Sequence, residues 1–388
     1  MKPVLLMIVN DPAFFMSHRL PVAVGAQQAG FQVHIATRPG EAVKKIVSQG
    51  FLHHELPLSR SGKNPFSELY LLTYVWRLLW RLRPDVLHLV TIKPVIYGGI
   101  AARLAPVKGV VAAVSGLGFV FMAKGLKACA FRACVAWLYR RALGKKKLRV
   151  IFQNPDDRDA LIGLGAITFE KSVLIRGSGV DLTQYQPAPE SPETPVVTLA
   201  ARLLRDKGVL EFVEAANILR QRSVPAHFQL VGDLDPGNPT SIEPSELERW
   251  RSEGTIECLG YRQDIASVFA RSHIVVLPSY REGLPKVLVE ASACGRAVVT
   301  TDVPGCRDAI QADVTGLLVP VRDSAALADA IQRLIESPEL RKKMGAAGRA
   351  LAERDFAIES IVQQHLDIYR ALGNLRTSLQ LCENPRNT

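Results

Sequence analysis

Short apolar runs of four to six residues alternate with longer amphipathic stretches in this sequence, and the whole alternation occurs twice. A strand covered on both faces reads as an unbroken run of Val, Ile and Leu, and parallel neighbours must be joined by crossovers, usually helices. The rhythm therefore predicts an α/β protein built on parallel sheets. In the first pass the strand-like runs are Val4–Val9, 32–36, Val86–Val90, Gly109–Val114, 149–153 and 173–175, with helical patterns at 20–29, 69–82 and 96–104. The segment Gln186-Pro187-Ala188-Pro189-Glu190-Ser191-Pro192-Glu193 then breaks the rhythm, because proline lacks the N–H that a helix interior or a central strand needs.

The second pass has strand-like runs at Val196–Ala200, 228–231, 256–259, Ile274–Leu277, 297–300 and Gly316–Val319, with helices at 210–219 and 287–293 and three more at 324–335, 338–353 and 358–372. The expected organisation is a Rossmann-like domain over 1–185, a linker over 186–195, a second Rossmann-like domain over 196–355, a helix over 356–373 that crosses back to the first domain, and a tail over 374–388. A cleft is expected between the two halves, with ligands beyond the carboxyl ends of the strands.

The chain has 388 residues, 48% apolar and 22% charged, which suffices for two cores and excludes a disordered, collagen-like or coiled-coil chain. Its six cysteines form no C-x-x-C pair, so neither a disulfide scaffold nor a zinc ribbon is expected, and a reducing cytoplasm fits. No leader is expected at the start, where Val4–Val9 meets Asn10 and Asp11 at once. The uncharged stretch 109–123 is shorter than the roughly 20 residues of a membrane-spanning helix.

Charge is divided unevenly. Residues 1–190 carry 25 Lys/Arg against 11 Asp/Glu, and the remainder 23 against 26. Two segments concentrate it. Residues 66–83 mix Tyr70, Tyr74, Trp76 and Trp80 with Arg77, Arg81 and Arg83, and residues 121–149 hold nine basic residues, no acid, and Phe121, Phe131, Trp137 and Tyr139. Cations interleaved with interfacial aromatics suit a helix lying on an anionic bilayer, each cation near the surface contributing about 1 kcal/mol. An ordinary solvated helix face is the plainer alternative. Nucleic acid is not expected as a partner, since no recognised binding motif accompanies the charge.

Two segments carry chemistry. In Leu277-Pro278-Ser279-Tyr280-Arg281-Glu282-Gly283-Leu284-Pro285-Lys286, a strand ends, a Gly/Pro turn follows and a helix starts near Pro285. The free amides of Gly283, Leu284 and their neighbours make an anion site, while Glu282 and Glu290 supply carboxylates for hydroxyl groups. In Arg202-Leu203-Leu204-Arg205-Asp206-Lys207-Gly208, also between a strand and a helix, Arg202 and Lys207 are suited to clamp a diphosphate.

Taken together, Glu282-x7-Glu290 and the upstream Arg202-x4-Lys207-Gly208 resemble the signatures of the family 4 retaining glycosyltransferases, the glycosyltransferases group 1 of the GT-B fold. The resemblance covers most of the chain, including 175–185, Leu230-Val231-Gly232-Asp233, Leu259-Gly260 and Pro304-Gly305-Cys306-Arg307-Asp308. Ser17-His18-Arg19-Leu20-Pro21, Lys93-Pro94 and Ser115-Gly116-Leu117-Gly118 resemble the branch of N-acetylgalactosaminyltransferases that act on undecaprenyl-diphosphate-linked sugars.

The resemblance implies that Arg202 and Lys207 hold the donor diphosphate, that Glu290 meets the ribose, and that Glu282 contacts the donor sugar beside Gly283, Leu284 and Pro285. It places Gly260, Tyr261 and Arg262 at the base, and His18, Arg19, Lys93 and Ser115 toward acceptor or phosphate. It further implies a UDP-sugar donor, a polyprenyl-diphosphate-linked saccharide acceptor, no cofactor, and a cytoplasmic location peripheral to the inner face of the cell membrane. Two departures stand out. Many members have a glycine-rich loop where this chain has Asn10–Ser17, and many have a His where it has Ser115. Asp233-Leu234-Asp235 has the spacing of a metal-binding Asp-x-Asp, but in this context a structural loop is expected, with no metal. The rival functions are a UDP-N-acetylglucosamine 2-epimerase, a transferase with a soluble acceptor, and a non-catalytic module binding anionic lipid.

Overall fold

The computed structural model describes residues 2–58, 65–117 and 126–373. The chain divides into two compact units, one comprising residues up to Ile175 together with those from Glu359 onward, the other Arg176–Ile358.

The first unit is a seven-stranded parallel sheet: β1 (Val4–Val9), β2 (Gln32–Thr37), β3 (Leu52–Glu55), β4 (Val86–Val90), β5 (Gly109–Val114), β6 (Leu148–Phe152) and β7 (Ser172–Leu174), in the order β3-β2-β1-β4-β5-β6-β7. Alternate residues of a strand face opposite ways, and both sets are apolar here. Leu6, Ile8, Leu87, Leu89, Val110 and Ala112 pack under the helices Pro65–Leu82, Ile92–Arg103 and Leu126–Ala142. Leu5, Met7, Val9, Val86, Val90 and Val111 pack under Pro12–His18 and Leu20–Gln28, together with Ile361, Leu366, Tyr369 and Leu372 of the last helix, Ile358–Gly373. The helix expected to cross back is thus an integral part of this core. Burying a Val or Leu contributes about 1.5–3 kcal/mol, so the helix is held chiefly by its apolar face.

The second unit is a six-stranded parallel sheet: β8 (Val196–Ala200), β9 (His227–Val231), β10 (Glu257–Gly260), β11 (Ile274–Leu277), β12 (Ala297–Thr301) and β13 (Gly316–Val319), ordered β10-β9-β8-β11-β12-β13. Both units thus reverse direction around their first strand, the arrangement that places ligands at the carboxyl edge of a doubly wound sheet.

The residues around the expected linker fall differently from the sequence reading. Residues 176–185 belong to the second unit, where Val180 and Tyr185 are buried and Val180 pairs with Ala357. The proline-rich segment is also fastened there. Arg341 grips the Glu190 carboxylate with Nε and Nη2 at 3.0 and 2.8 Å, and Arg296 donates to the Ala188 carbonyl at 2.6 Å. Proline removed the regular structure as expected, but two buried guanidinium groups supply the anchorage that a free linker lacks.

Candidate active site at the carboxyl edge of the second sheet

The ends of β8, β9, β10 and β11 build the site. After β8 the chain forms a short turn, Arg205–Lys207, and Gly208 starts the helix Val209–Gln221. Gly208 has φ +72°, and a Cβ there would lie 2.1 Å from the Pro278 carbonyl oxygen, so only glycine lets these loops touch. After β9, Gly232 has φ +139° and abuts the Ala201 carbonyl in the same manner. After β11 the chain runs through Ser279 and Glu282 to Pro285, which precedes the helix Lys286–Ala293.

These contacts bring the sequence-derived residues together. Lys207 Nζ pairs with Glu282 Oε1, and the Ser279 hydroxyl donates to that same oxygen at 2.7 Å. Both partners are mostly covered, at 21% and 13% side-chain exposure, yet neither is sealed from solvent. The Glu282 amide donates to the Pro304 carbonyl at 3.1 Å, which fixes the loop. Behind it lies the Cys306 thiol, fully buried and pushed up to about 12 by burial and secondarily by the Glu282 charge, so it stays protonated.

Glu290 lies about one turn into the helix and is only 6% exposed. It accepts from the Tyr185 hydroxyl at 2.7 Å and pairs with Lys286 at 2.9 Å. Burial, then the Glu290 charge, push the Tyr185 phenol far up, so it remains a donor. Arg202 is 59% exposed along its side chain and bonds Asp235 through Nη1 at 2.8 Å. At the end of β10, Gly260 accepts from the Gly232 amide at 2.8 Å, and the Tyr261 amide just beyond donates to Asp233 at 3.1 Å. Beside these loops is an open pocket of about 440 Å³, lined by Leu203, Leu230, Gly232, Asp233, Leu247 and Gly260 among others. Tyr261 is exposed, and Arg262 pairs with Asp264 at 2.7 Å. Leu284 is buried against Gly177, and Gly283 lies close to Gly305.

The first unit presents its own carboxyl edge. His18 stacks on Phe14 with centroids 4.2 Å apart and bonds the Ser17 hydroxyl at 2.7 Å. Lys93 pairs with Glu68 at 2.9 Å. Arg19 departs from expectation. It is 1% exposed and points into the core, because the chain turns from one helix into the next at this residue, which puts its side chain beside Tyr369 and away from the strand ends. Two groups that the sequence analysis did not single out, Asn10 and Thr91, join Ser115 here. Asn10 Oδ1, Thr91 Oγ1 and Ser115 Oγ follow the ends of β1, β4 and β5, which are adjacent strands, and each is buried without a hydrogen-bond partner among the described residues. Thr91 has φ +72°, a strained backbone for a β-branched residue. Buried polar atoms are normally paired, so a row of three at adjacent strand ends sets this edge apart among the described residues.

The pattern of the family described as Glycosyl transferases group 1 matches residues 194–337, and that of Glycosyl transferase 4-like matches residues 4–154. A curated relative, the N,N'-diacetylbacillosaminyl-diphospho-undecaprenol alpha-1,3-N-acetylgalactosaminyltransferase of Campylobacter jejuni, is 30% identical over 93% of this chain and 99% of its own. The UDP-Gal:alpha-D-GlcNAc-diphosphoundecaprenol alpha-1,3-galactosyltransferase of Escherichia coli is 27% identical over 69% of this chain and 70% of its own. Among solved structures, HepE of Anabaena in complex with UDP superposes with a TM-score of 0.76 over 96% of this chain and 100% of its own, at 21% identity. The chain is a glycosyltransferase with the GT-B fold. It belongs to the glycosyl transferases group 1 family, in the branch similar to the transferase of Campylobacter jejuni.

Proposed function

We propose that this glycosyltransferase moves an N-acetylhexosamine from a UDP-sugar to a polyprenyl-diphosphate-linked saccharide, with retention at the anomeric carbon and without a metal. The observation that carries the reading is the Lys207–Glu282 pair at the mouth of the helix Lys286–Ala293, with the Arg202 guanidinium exposed on the neighbouring loop. It supplies two cations and helix amides for a diphosphate, with a carboxylate where a sugar hydroxyl can donate. The donor and acceptor classes follow the two bacterial relatives, whose names specify diphosphoundecaprenol-linked sugars, and HepE, solved with UDP.

In the reaction, the bond from the anomeric carbon to the diphosphate oxygen breaks and an acceptor hydroxyl bonds to that carbon on the same face. The hydroxyl proton passes to the departing phosphate. Negative charge grows on the diphosphate as the bond opens, so Arg202 and Lys207 act most strongly in the transition state. The oxygens of Asn10, Thr91 and Ser115, without a hydrogen-bond partner among the described residues, offer hydrogen-bonding positions to a hydroxyl-rich ligand.

Attachment to the membrane surface forms part of the proposal. No helix among the described residues is long and apolar enough to cross a membrane. On the helix Pro65–Leu82, however, Phe66, Leu69, Tyr70, Trp76 and Trp80 are exposed, and both indoles donate to the Leu104 carbonyl, at 3.3 and 3.1 Å. Trp137 is exposed under the Arg141 guanidinium at 5.4 Å; residues 121–125 of the second basic segment, and the side chains of 126–132, lie outside the described residues.

The test is nucleotide release from UDP-, GDP- and TDP-sugars, each with and without a lipid-diphosphate saccharide extract, in EDTA. Release that requires one UDP-N-acetylhexosamine and the lipid is expected. Consumption without lipid would replace the lipid acceptor by a soluble one or by epimerisation, and release that is lost in EDTA would remove metal independence.

A further inference from the structure

We propose that Asp235 is the positioning residue for Arg202 and that the loop 233–242 exists to hold it, an inference that rests on the donor-site reading above. The pair is lopsided. Asp235 is 9% exposed, whereas the Arg202 side chain is 59% exposed. A buried carboxylate must be paired, and it cannot move to find a partner if its backbone is pinned.

Here the backbone is pinned thoroughly. The Leu203 amide donates to the Asp233 carbonyl at 3.0 Å, the Ile242 amide to Leu203 at 2.9 Å and the Arg205 amide to Thr240 at 2.7 Å. The Asp235 amide donates to the Ser241 hydroxyl at 3.1 Å, and the Asn238 amide to the Asp235 carbonyl at 2.7 Å. The Thr240 hydroxyl reaches Asp206 at 2.9 Å, tying the loop to the same turn that carries Lys207. Asp235 is therefore the fixed end of the pair and Arg202 the guided one.

A guanidinium is a rigid planar fork. When Asp235 takes Nη1, the direction of Nε and Nη2 is set as well. Those two groups make no other bond among the described residues, so they are presented to a ligand already oriented. A free arginine must lose its rotamer freedom on binding; a guided one has largely lost it beforehand, a difference of about tenfold in affinity. Both carboxylates of the Asp-Leu-Asp segment thus engage groups of the chain itself. Asp233 fastens the Tyr261 amide, and Asp235 orients the cation on the neighbouring loop.

The test is a double-mutant cycle on nucleotide affinity, measured by calorimetry on the full chain with whichever of UDP, GDP and TDP the wild type binds most tightly. D235A is expected to weaken binding about tenfold in the wild-type background and at least threefold less than that in the R202A background, because its effect on the nucleotide passes chiefly through Arg202. A merely structural loop residue would cost the same in both backgrounds, and that result would overturn the inference, as would unchanged or tighter binding by D235A alone. A wild type that binds none of the three diphosphates would overturn the donor reading and the inference with it.

Discussion

A single oxygen, Glu282 Oε1, receives both the Lys207 ammonium and the Ser279 hydroxyl. It also sits above a thiol that burial keeps neutral. The carboxylate is thus held in one place by charge-assisted bonds, which are stronger than neutral ones. E282Q should preserve the fold, since glutamine is isosteric, but lower kcat on the order of 10²-fold by misdirecting Lys207 and weakening contact with the sugar. Single-turnover rates with near-normal thermal melting would bear this out, and an E282Q enzyme within a fewfold of wild type would remove Glu282 from the chemistry. At this scale the sequence was legible wherever spacing is short. Glu282 and Glu290 lie on one loop and helix, and Arg202 and Lys207 on one turn. It was illegible where the partner is remote: nothing in the residues around Tyr185 shows that its hydroxyl meets Glu290, 105 positions away. Arg19 shows the same limit, because adjacency to His18 did not reveal that a turn between two helices sends one side chain outward and the other into the core.

Elements were legible in proportion to their burial. β4, β5, β11 and β12 are buried along their whole length and read as plain apolar runs. β3 escaped notice because its sequence is Leu-His-His-Glu at the sheet edge, with no apolar alternation to find. The helix Pro244–Glu253 escaped for a similar reason, since only Leu247 and Trp250 of its ten residues are buried. Conversely, the helix Pro65–Leu82 shows more apolar surface than its own core needs. Leu71, Val75, Leu78 and Leu79 are buried, and a second aromatic face remains outside. That second face leads to a prediction for the element. Flotation with anionic vesicles should recover the wild type, and W76S/W80S together should reduce recovery at least severalfold, the loss being greater at higher salt where the arginine contribution is screened. Equal recovery of variant and wild type would exclude this face as the contact.

At the scale of the molecule, the last helix returns the chain to its first unit and closes the core around polar groups that no other part of the fold uses. His88 Nδ1 lies 2.6 Å from the Tyr369 hydroxyl, His365 Nδ1 donates to the Ile361 carbonyl at 2.8 Å, and the buried Arg19 charge is nearby. Burial, reinforced by that charge, holds His365 down to about 3, and burial with the same neighbours holds His88 well below its ordinary range. Both histidines are therefore neutral when folded, while in the unfolded chain they protonate near pH 6.5. The sign follows from proton counting. Between the unfolded and folded values the unfolded state binds more protons, so stability is complete above about pH 6.5 and falls as the pH drops below it, by about 1.4 kcal/mol per pH unit for each histidine. Urea melts between pH 7.5 and 5 should show the first unit weakening by about 2 kcal/mol per histidine. The second unit has its own core and no share in this cluster, so its transition should not carry that component. H365Q removes one contributing group and should lower the slope below pH 6.5 by about 1.4 kcal/mol per pH unit, leaving the share of His88 and of His34, His53 and His54, which burial also holds below their ordinary value, while lowering stability at pH 7.5 through lost packing. A variant with the wild-type slope would mean that His365 protonates as readily in the folded chain as in the unfolded one, and the sealed contact between the last helix and the first sheet would have to be abandoned.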